Sequence, residues 1–261
     1  MSLSPQAFIR GLVSRALPSF NPDSYNNDVG FRMASYGEMY NQPLVRKSHN
    51  LADEGSYFII NNGQTGITPP LATGFVATTP ALLIYNNDTL GRRLYMDYIN
   101  MTAQVAVTAT TSVVGEANAF VAVSVDNGNR YTSGGSVLPA PVNPNMAYQT
   151  TTPNITSYFG QITAAAASGS VRNLVGQRVT RPSPTTAALD LVGDTWMMNF
   201  GGVEAVGNSS QVVTNANIIP VPLPPVIIGQ GQSLLLYLWW ANHTPAGGAA
   251  GMLPEIGFWV R

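Results

Sequence analysis

The chain has 261 residues and a net charge of −1, and only 10% of its residues are charged, against about 25% in an ordinary soluble domain. It contains no Cys, a single Lys (Lys47) and two His, His49 and His243. That excludes disulfides and thiolate chemistry, and it leaves acid–base and nucleophilic catalysis with few of the side chains they draw on.

Hydrophobic residues make up 45%, an ordinary share, so the missing charge has been replaced by Asn, Thr, Ser, Gln, Gly, Ala and Pro. An isolated monomer usually keeps a mixed, charged surface. A chain this poor in charge is expected to have its flanks covered by copies of itself or by a partner. Neither an enzyme nor a cofactor-binding protein is expected. The arginines are scattered apart from the pairs Arg46–Lys47 and Arg92–Arg93, so there is no cationic face of the kind nucleic acid requires. No window of about 20 apolar residues is present, and no membrane span is expected. The N-terminus lacks a continuous apolar stretch before a small-residue cleavage site, so export by a signal peptide is not expected either.

Residues 3–17 predict a helix. Phe8, Ile9, Leu12, Val13, Ala16 and Leu17 recur at three- and four-residue spacing. Ser4 supplies an N-cap, Pro5 suits the first turn, and Pro18 stops the helix. A helix this short is marginal alone, so its apolar stripe must pack on something. Residues 18–52 have weak periodicity and spaced aromatics, Tyr25, Phe31, Tyr36 and Tyr40, and predict an extended segment. The expected division is therefore an N-terminal helix and extended arm over 1–52, followed by a β domain over 53–261.

From Asp53 onward, short β runs alternate with Gly, Asn and Pro. Strands are predicted at Gly55–Ile60, Ala81–Asn86, Arg93–Val107, Ala119–Val125, Ser157–Ile162, Leu174–Thr180, Thr195–Phe200, Ile218–Leu223, Ser233–Trp240 and Glu255–Val260. In the fourth, Val121, Val123 and Val125 alternate cleanly; across Leu94–Ile99 the pattern is mixed and suggests apolar cover on both sides. Asp126–Asn127–Gly128–Asn129 predicts a hairpin turn, and Gly229–Gln230–Gly231–Gln232 a tight turn before a long strand. Pro222, Pro224 and Pro225 cannot donate ladder hydrogen bonds, which places their stretch at a sheet edge. About ten short strands without interleaved helices predict an all-β fold, an antiparallel β-sandwich of the jelly-roll kind.

Ser233–Trp240 is apolar on both alternating sets: Leu234, Leu236 and Leu238 against Leu235, Tyr237 and Trp239. A strand with two apolar faces must be covered twice, and a symmetry-related subunit is the simplest second cover. The expected contact residues are Leu234, Leu236 and Trp239 on this strand, with Phe8, Ile9, Leu12, Val13 and Leu17 on the arm.

Catalytic and metal motifs are missing. The two His lie far apart without HxxxH or HExxH spacing, and no GxSxG occurs. Asp53–Glu54 and Asp190…Asp194 read as turn and loop caps, and all four tryptophans (Trp196, Trp239, Trp240, Trp259) fall inside strand patterns and read as core.

The whole chain, with its N-terminal arm, low charge, absence of Cys and abundance of Asn, Thr, Gly and Ala, resembles virion structural proteins of tailed bacteriophages, particularly capsid decoration (cement) and minor capsid proteins. The stretch Pro225–Trp239, with its Gly turn and long apolar strand, and the terminal Glu255–Ile–Gly–Phe–Trp259 look like the last two strands of trimeric jelly rolls of the C1q/TNF type. The resemblance implies a structural protein of the virion, assembled in the host cytoplasm. It would associate as a homo-oligomer, a trimer, and with the major capsid protein or other virion proteins. A receptor- or carbohydrate-binding head of a phage fibre or spike is the alternative.

Overall fold

The computed structural model describes residues 51–63, 65–108, 116–147, 151–182, 188–190, 192–201, 218–241, 245 and 251–261. All of these lie in the compact unit Lys47–Arg261. After a helical turn at 51–53, the described chain is built from strands. In order they are β1 (Tyr57–Asn61), β2 (Leu82–Asn86), β3 (Leu94–Val105), β4 (Val107–Thr108), β5 (Glu116–Asn127), β6 (Tyr131–Val137) and β7 (Ile155–Ala164). There follow β8 (Arg172–Pro182), β9 (Ala188–Asp190), β10 (Thr195–Phe200), β11 (Ile218–Leu223), β12 (Ile227–Ile228), β13 (Gln232–Trp240) and β14 (Gly251–Val260).

Two sheets carry the fold. The first runs β1-β14-β3-β10-β11, with β12 also on β3; the second runs β6-β7-β2-β13-β5-β8. The pairings are nested along the chain: β1 with β14, β2 with β13, β3 with β10 and β5 with β8, all antiparallel. Contacts of β14 with β3 and of β13 with β5 then close each sheet. A long antiparallel ribbon rolled up in this way, its successive strands passing from one sheet to the other, is the jelly roll. The β6–β7 hairpin is inserted between β5 and β8 and widens the second sheet beyond β2.

The alternation read from the sequence governs which side chains meet between the sheets. Phe58 and Ile60, Leu94, Met96 and Ile99, Trp196 and Met198, and Ile256 and Phe258 come from the first sheet. They pack on Leu82 and Ile84, Val121 and Val123, and Leu234, Leu236, Leu238 and Trp240 from the second. The largest of these, Trp196, Trp240, Phe58 and Phe258, are fully buried. Each such side chain contributes roughly 1.5–3 kcal/mol of transfer free energy.

Two sequence expectations are corrected and a third is refined. The mixed pattern at Leu94–Ile99 reflects a β-bulge: Gly257 pairs Tyr98 while Phe258 pairs Met96, so Asp97 is an extra residue that shifts the alternation by one. Asp126–Asn129 is not a hairpin turn, because β5 and β6 are separated by three strands in their sheet. It is a corner, held by Gly128 at φ +83° and by a bond from the Gly128 N–H to the Gly231 carbonyl. The proline-rich strand β11 does lie at an edge, but it pairs β10 in parallel.

Candidate functional site

Of the residues expected to make partner contacts, Phe8, Ile9, Leu12, Val13 and Leu17 lie outside the described residues, as do His49 and His243. Leu234 and Leu236 are 0% exposed and face the inter-sheet core. They therefore present nothing to a partner. Trp239 faces the other way, onto the outer surface of the second sheet.

That outer surface already has a cover. Leu235 and Tyr237 cluster there with Leu83, Ile162 and Ala164, and Tyr85, Tyr131, Tyr158 and Trp239 pack around them. The segment before β2 folds across the face: Phe75 sits edge-on to both Tyr237 and Trp239, at 4.9 and 5.5 Å between ring centroids. Phe120 stacks on Trp239 at 5.3 Å. The second cover that the sequence reading assigns to another subunit is thus supplied, for Leu235 and Tyr237, by the chain itself. Phe75 remains 49% exposed, and Trp239 and Phe120 are half-buried, so this face still ends in an aromatic patch.

A buried ion pair fastens the cover. Arg130 and Asp126 are 3% and 1% exposed, with Nη1 3.2 Å from Oδ2. The guanidinium also donates to the carbonyls of Ala165 (Nε, 2.9 Å) and Ala77 (Nη2, 3.0 Å), and the Tyr237 hydroxyl donates to the same Ala77 carbonyl at 3.0 Å. Asp126 accepts from the Ser168 hydroxyl and N–H and from the Asn127 N–H. Burial works to raise this carboxyl, but the Ser168 and Asn127 hydrogen bonds and the Arg130 charge hold it below the usual carboxylate range. A second pair, Asp88–Arg92, pins another loop cluster. Arg92 Nε lies 2.7 Å from Asp88 Oδ2, and Nη1 donates to the Thr151 carbonyl at 2.8 Å. Hydrogen bonding from Arg92 lowers the Asp88 carboxyl as well.

The outer face of the first sheet is different in kind. Cross-strand register lines up Tyr57 (β1), Trp259 (β14), Tyr95 (β3) and Ile227 (β12) in one row, with the Tyr95 and Trp259 rings stacked at 5.7 Å. The bulge at Asp97 brings two carboxylates into contact with tyrosines: Tyr57 donates to Asp97 at 2.8 Å and Tyr98 to Glu255 at 2.5 Å. Desolvation, reinforced by these carboxylates, raises both phenols well above the ordinary tyrosine range. Gly257 makes room for the arrangement. A β-carbon there would stand 2.3 Å from Tyr98 Cε1 and 2.6 Å from the Tyr57 hydroxyl. Replacing Gly257 with Ala should therefore cost about 1–3 kcal/mol by overpacking, read as a lowered thermal midpoint, and should break both tyrosine–carboxylate bonds.

Sequence reasoning missed Tyr57, Tyr95, Asp97, Tyr98 and Glu255 as a group, and placed all four tryptophans in the core. Trp196 and Trp240 are there, whereas Trp239 and Trp259 are half-buried on outer faces. Alternation along Glu255–Gly257–Trp259 was the available signal; the bulge concealed its counterpart on β3.

A half-open cleft between β5, the start of β8 and β12 is lined by Val125, Asp126, Asn127, Arg172, Ile227 and Gln232. Its carboxylate, Asp126, is already engaged in fastening loops. Among the described residues, no three His, Cys, Asp or Glu side chains gather as a metal ion would need. Comparison of the chain with protein-family models, with curated proteins and with solved structures gives no match in any of the three.

Proposed function

We propose that this chain is a structural protein of a virion, a jelly-roll subunit that decorates or stabilises a capsid by associating with its own copies and with the major capsid protein. Residues 1–52 act as the attachment arm. One observation carries the reading. The inter-sheet space is filled by apolar side chains, and six charged side chains are spent on internal fastening: Asp126 with Arg130, Asp88 with Arg92, and Asp97 and Glu255 on tyrosines. A body fastened in this way, in a chain so poor in charge, is suited to burying surface against other subunits. Jelly rolls recur in capsid proteins and in lectins. The exposed Phe75 beside Trp239 and Phe120 is what favours the second reading, a carbohydrate- or receptor-binding head.

Five apolar arm residues, Phe8, Ile9, Leu12, Val13 and Leu17, could together contribute on the order of 7–15 kcal/mol on burial, before the cost of ordering the arm. Deleting residues 1–40 should leave the β domain folded by far-UV circular dichroism and abolish incorporation into particles. A truncated protein that still decorates particles normally would show that the attachment surface lies on the sandwich.

A further inference from the structure

The half-open cleft between β5, β8 and β12 has a cationic end without its counter-charge. Val125 packs against the core, so on β5 the inner face carries Val125 and, two residues on, Asn127. Cross-strand pairing sets Arg172 opposite Val125 and Gln232 opposite Asn127, which puts both on that inner face. Arg172 thus stands at the open rim of the sandwich, on its core side. Its guanidinium has no hydrogen-bond or ion-pair partner among the described residues. Asp126 also lines the cleft, but its side chain belongs to the opposite face, where Ser168 and Arg130 engage it. Gln232 is spent too: Oε1 accepts from the Gly229 N–H at 2.8 Å, and Nε2 donates to Asn127 Oδ1 at 3.0 Å. What this end still offers is donors, namely the Arg172 guanidinium, the Asn127 amide nitrogen and the Ser170 hydroxyl.

The rest of the cleft is apolar. Val125 and Leu174 are partly buried against the core, and Ile227 stands 49% exposed at the rim. The cleft measures about 460 Å³, inside the range of small-molecule sites. We propose that it binds a small monocarboxylic acid with an apolar body. The carboxylate lies on the Arg172 fork, a planar donor pair that matches its two oxygens, and the apolar body lies along Val125, Leu174 and Ile227. A phosphate group carries more charge than one guanidinium balances. An Asp or Glu side chain from a protein has only one or two methylenes and would leave the apolar walls uncovered. The site is independent of the arm and of the assembly reading above.

The test titrates octanoate into the full-length chain and follows it by saturation-transfer NMR. Acetate and 1-octanol serve as probes that keep only the carboxylate or only the chain. Octanoate should bind saturably in the low-millimolar range or tighter, and each partial probe at least tenfold more weakly. Arg172→Gln should raise the octanoate dissociation constant tenfold or more, the scale of a lost charge-assisted hydrogen bond, and leave 1-octanol unchanged. Ile227→Ser, at the exposed rim, should weaken octanoate and 1-octanol alike. Both variants should keep the wild-type thermal midpoint, because Arg172 has no partner to lose among the described residues and Ile227 is half in solvent. The proposal is overturned if octanoate shows no saturable binding at tens of millimolar, or if 1-octanol binds as tightly. It is overturned too if Arg172→Gln binds octanoate like the wild type, since the acid would then sit elsewhere, for instance on the exposed Phe75 beside Trp239. A variant that loses only its association with other copies or with particles overturns it as well, because Arg172 would then serve a protein partner.

Discussion

Replacing Arg130 with Ala should lower the unfolding free energy by about 3–5 kcal/mol, the usual cost of breaking a buried ion pair from one side. The guanidinium does more than neutralise Asp126. It joins the carbonyls of Ala77 and Ala165, so its loss unfastens the segment that covers Leu235 and Tyr237 and leaves a buried carboxylate with only neutral donors. Urea unfolding followed by tryptophan fluorescence reads the change in midpoint. The same network sets an acid limit. Asp126 and Asp88 are both held below the usual carboxylate range in the folded protein, so the unfolded chain takes up protons first as pH falls. Their stabilisation is fully present above the unfolded value near pH 4 and is lost as pH drops through the folded values. Thermal midpoints should therefore be insensitive to these groups near neutrality and decline below about pH 4. In the Arg130→Ala protein this decline should be shallower, because Asp126 without its cation lies closer to the unfolded value and less stabilisation remains to be lost.

Replacing Leu236 with Ala should cost about 2–5 kcal/mol, because the residue is fully buried between the sheets and its removal leaves a cavity. Trp239→Ala should cost clearly less despite the larger side chain, since Trp239 is half-buried on the outer face and its neighbour Phe75 can settle into the space. Chemical denaturation of the two variants measures the contrast. Equal losses would mean that the two apolar sides of β13 are buried equally, contrary to the structure. The Trp239 variant has a further use. If the exposed Phe75–Trp239–Phe120 patch binds a glycan or receptor, that binding should disappear while stability is largely kept.

The sequence by itself determined the strands, because each is a local pattern. Ten predicted segments coincide, within a few residues, with β1, β2, β3, β5, β7, β8, β10, β11, β13 and β14, and the prolines of β11 marked a sheet edge. Alternating apolar side chains and glycine-bearing turns need no distant partner to be recognised. The exposed hairpin strand β6, with little apolar content, escaped notice for the same reason. Only the tertiary structure decided which side of β13 became the core, since Leu234–Leu236–Leu238 and Leu235–Tyr237–Trp239 are equally apolar and alternation cannot rank them. The choice lies in contacts far apart along the chain, such as the Tyr237 hydroxyl on the Ala77 carbonyl, 160 residues away. The tyrosine–carboxylate face was likewise beyond local reading. A single extra residue at Asp97 inverts the parity of β3, and Gly257 leaves space that only a neighbouring strand's Tyr98 can fill. Short-range periodicity says that a strand will be buried; the pairing of distant strands says against what.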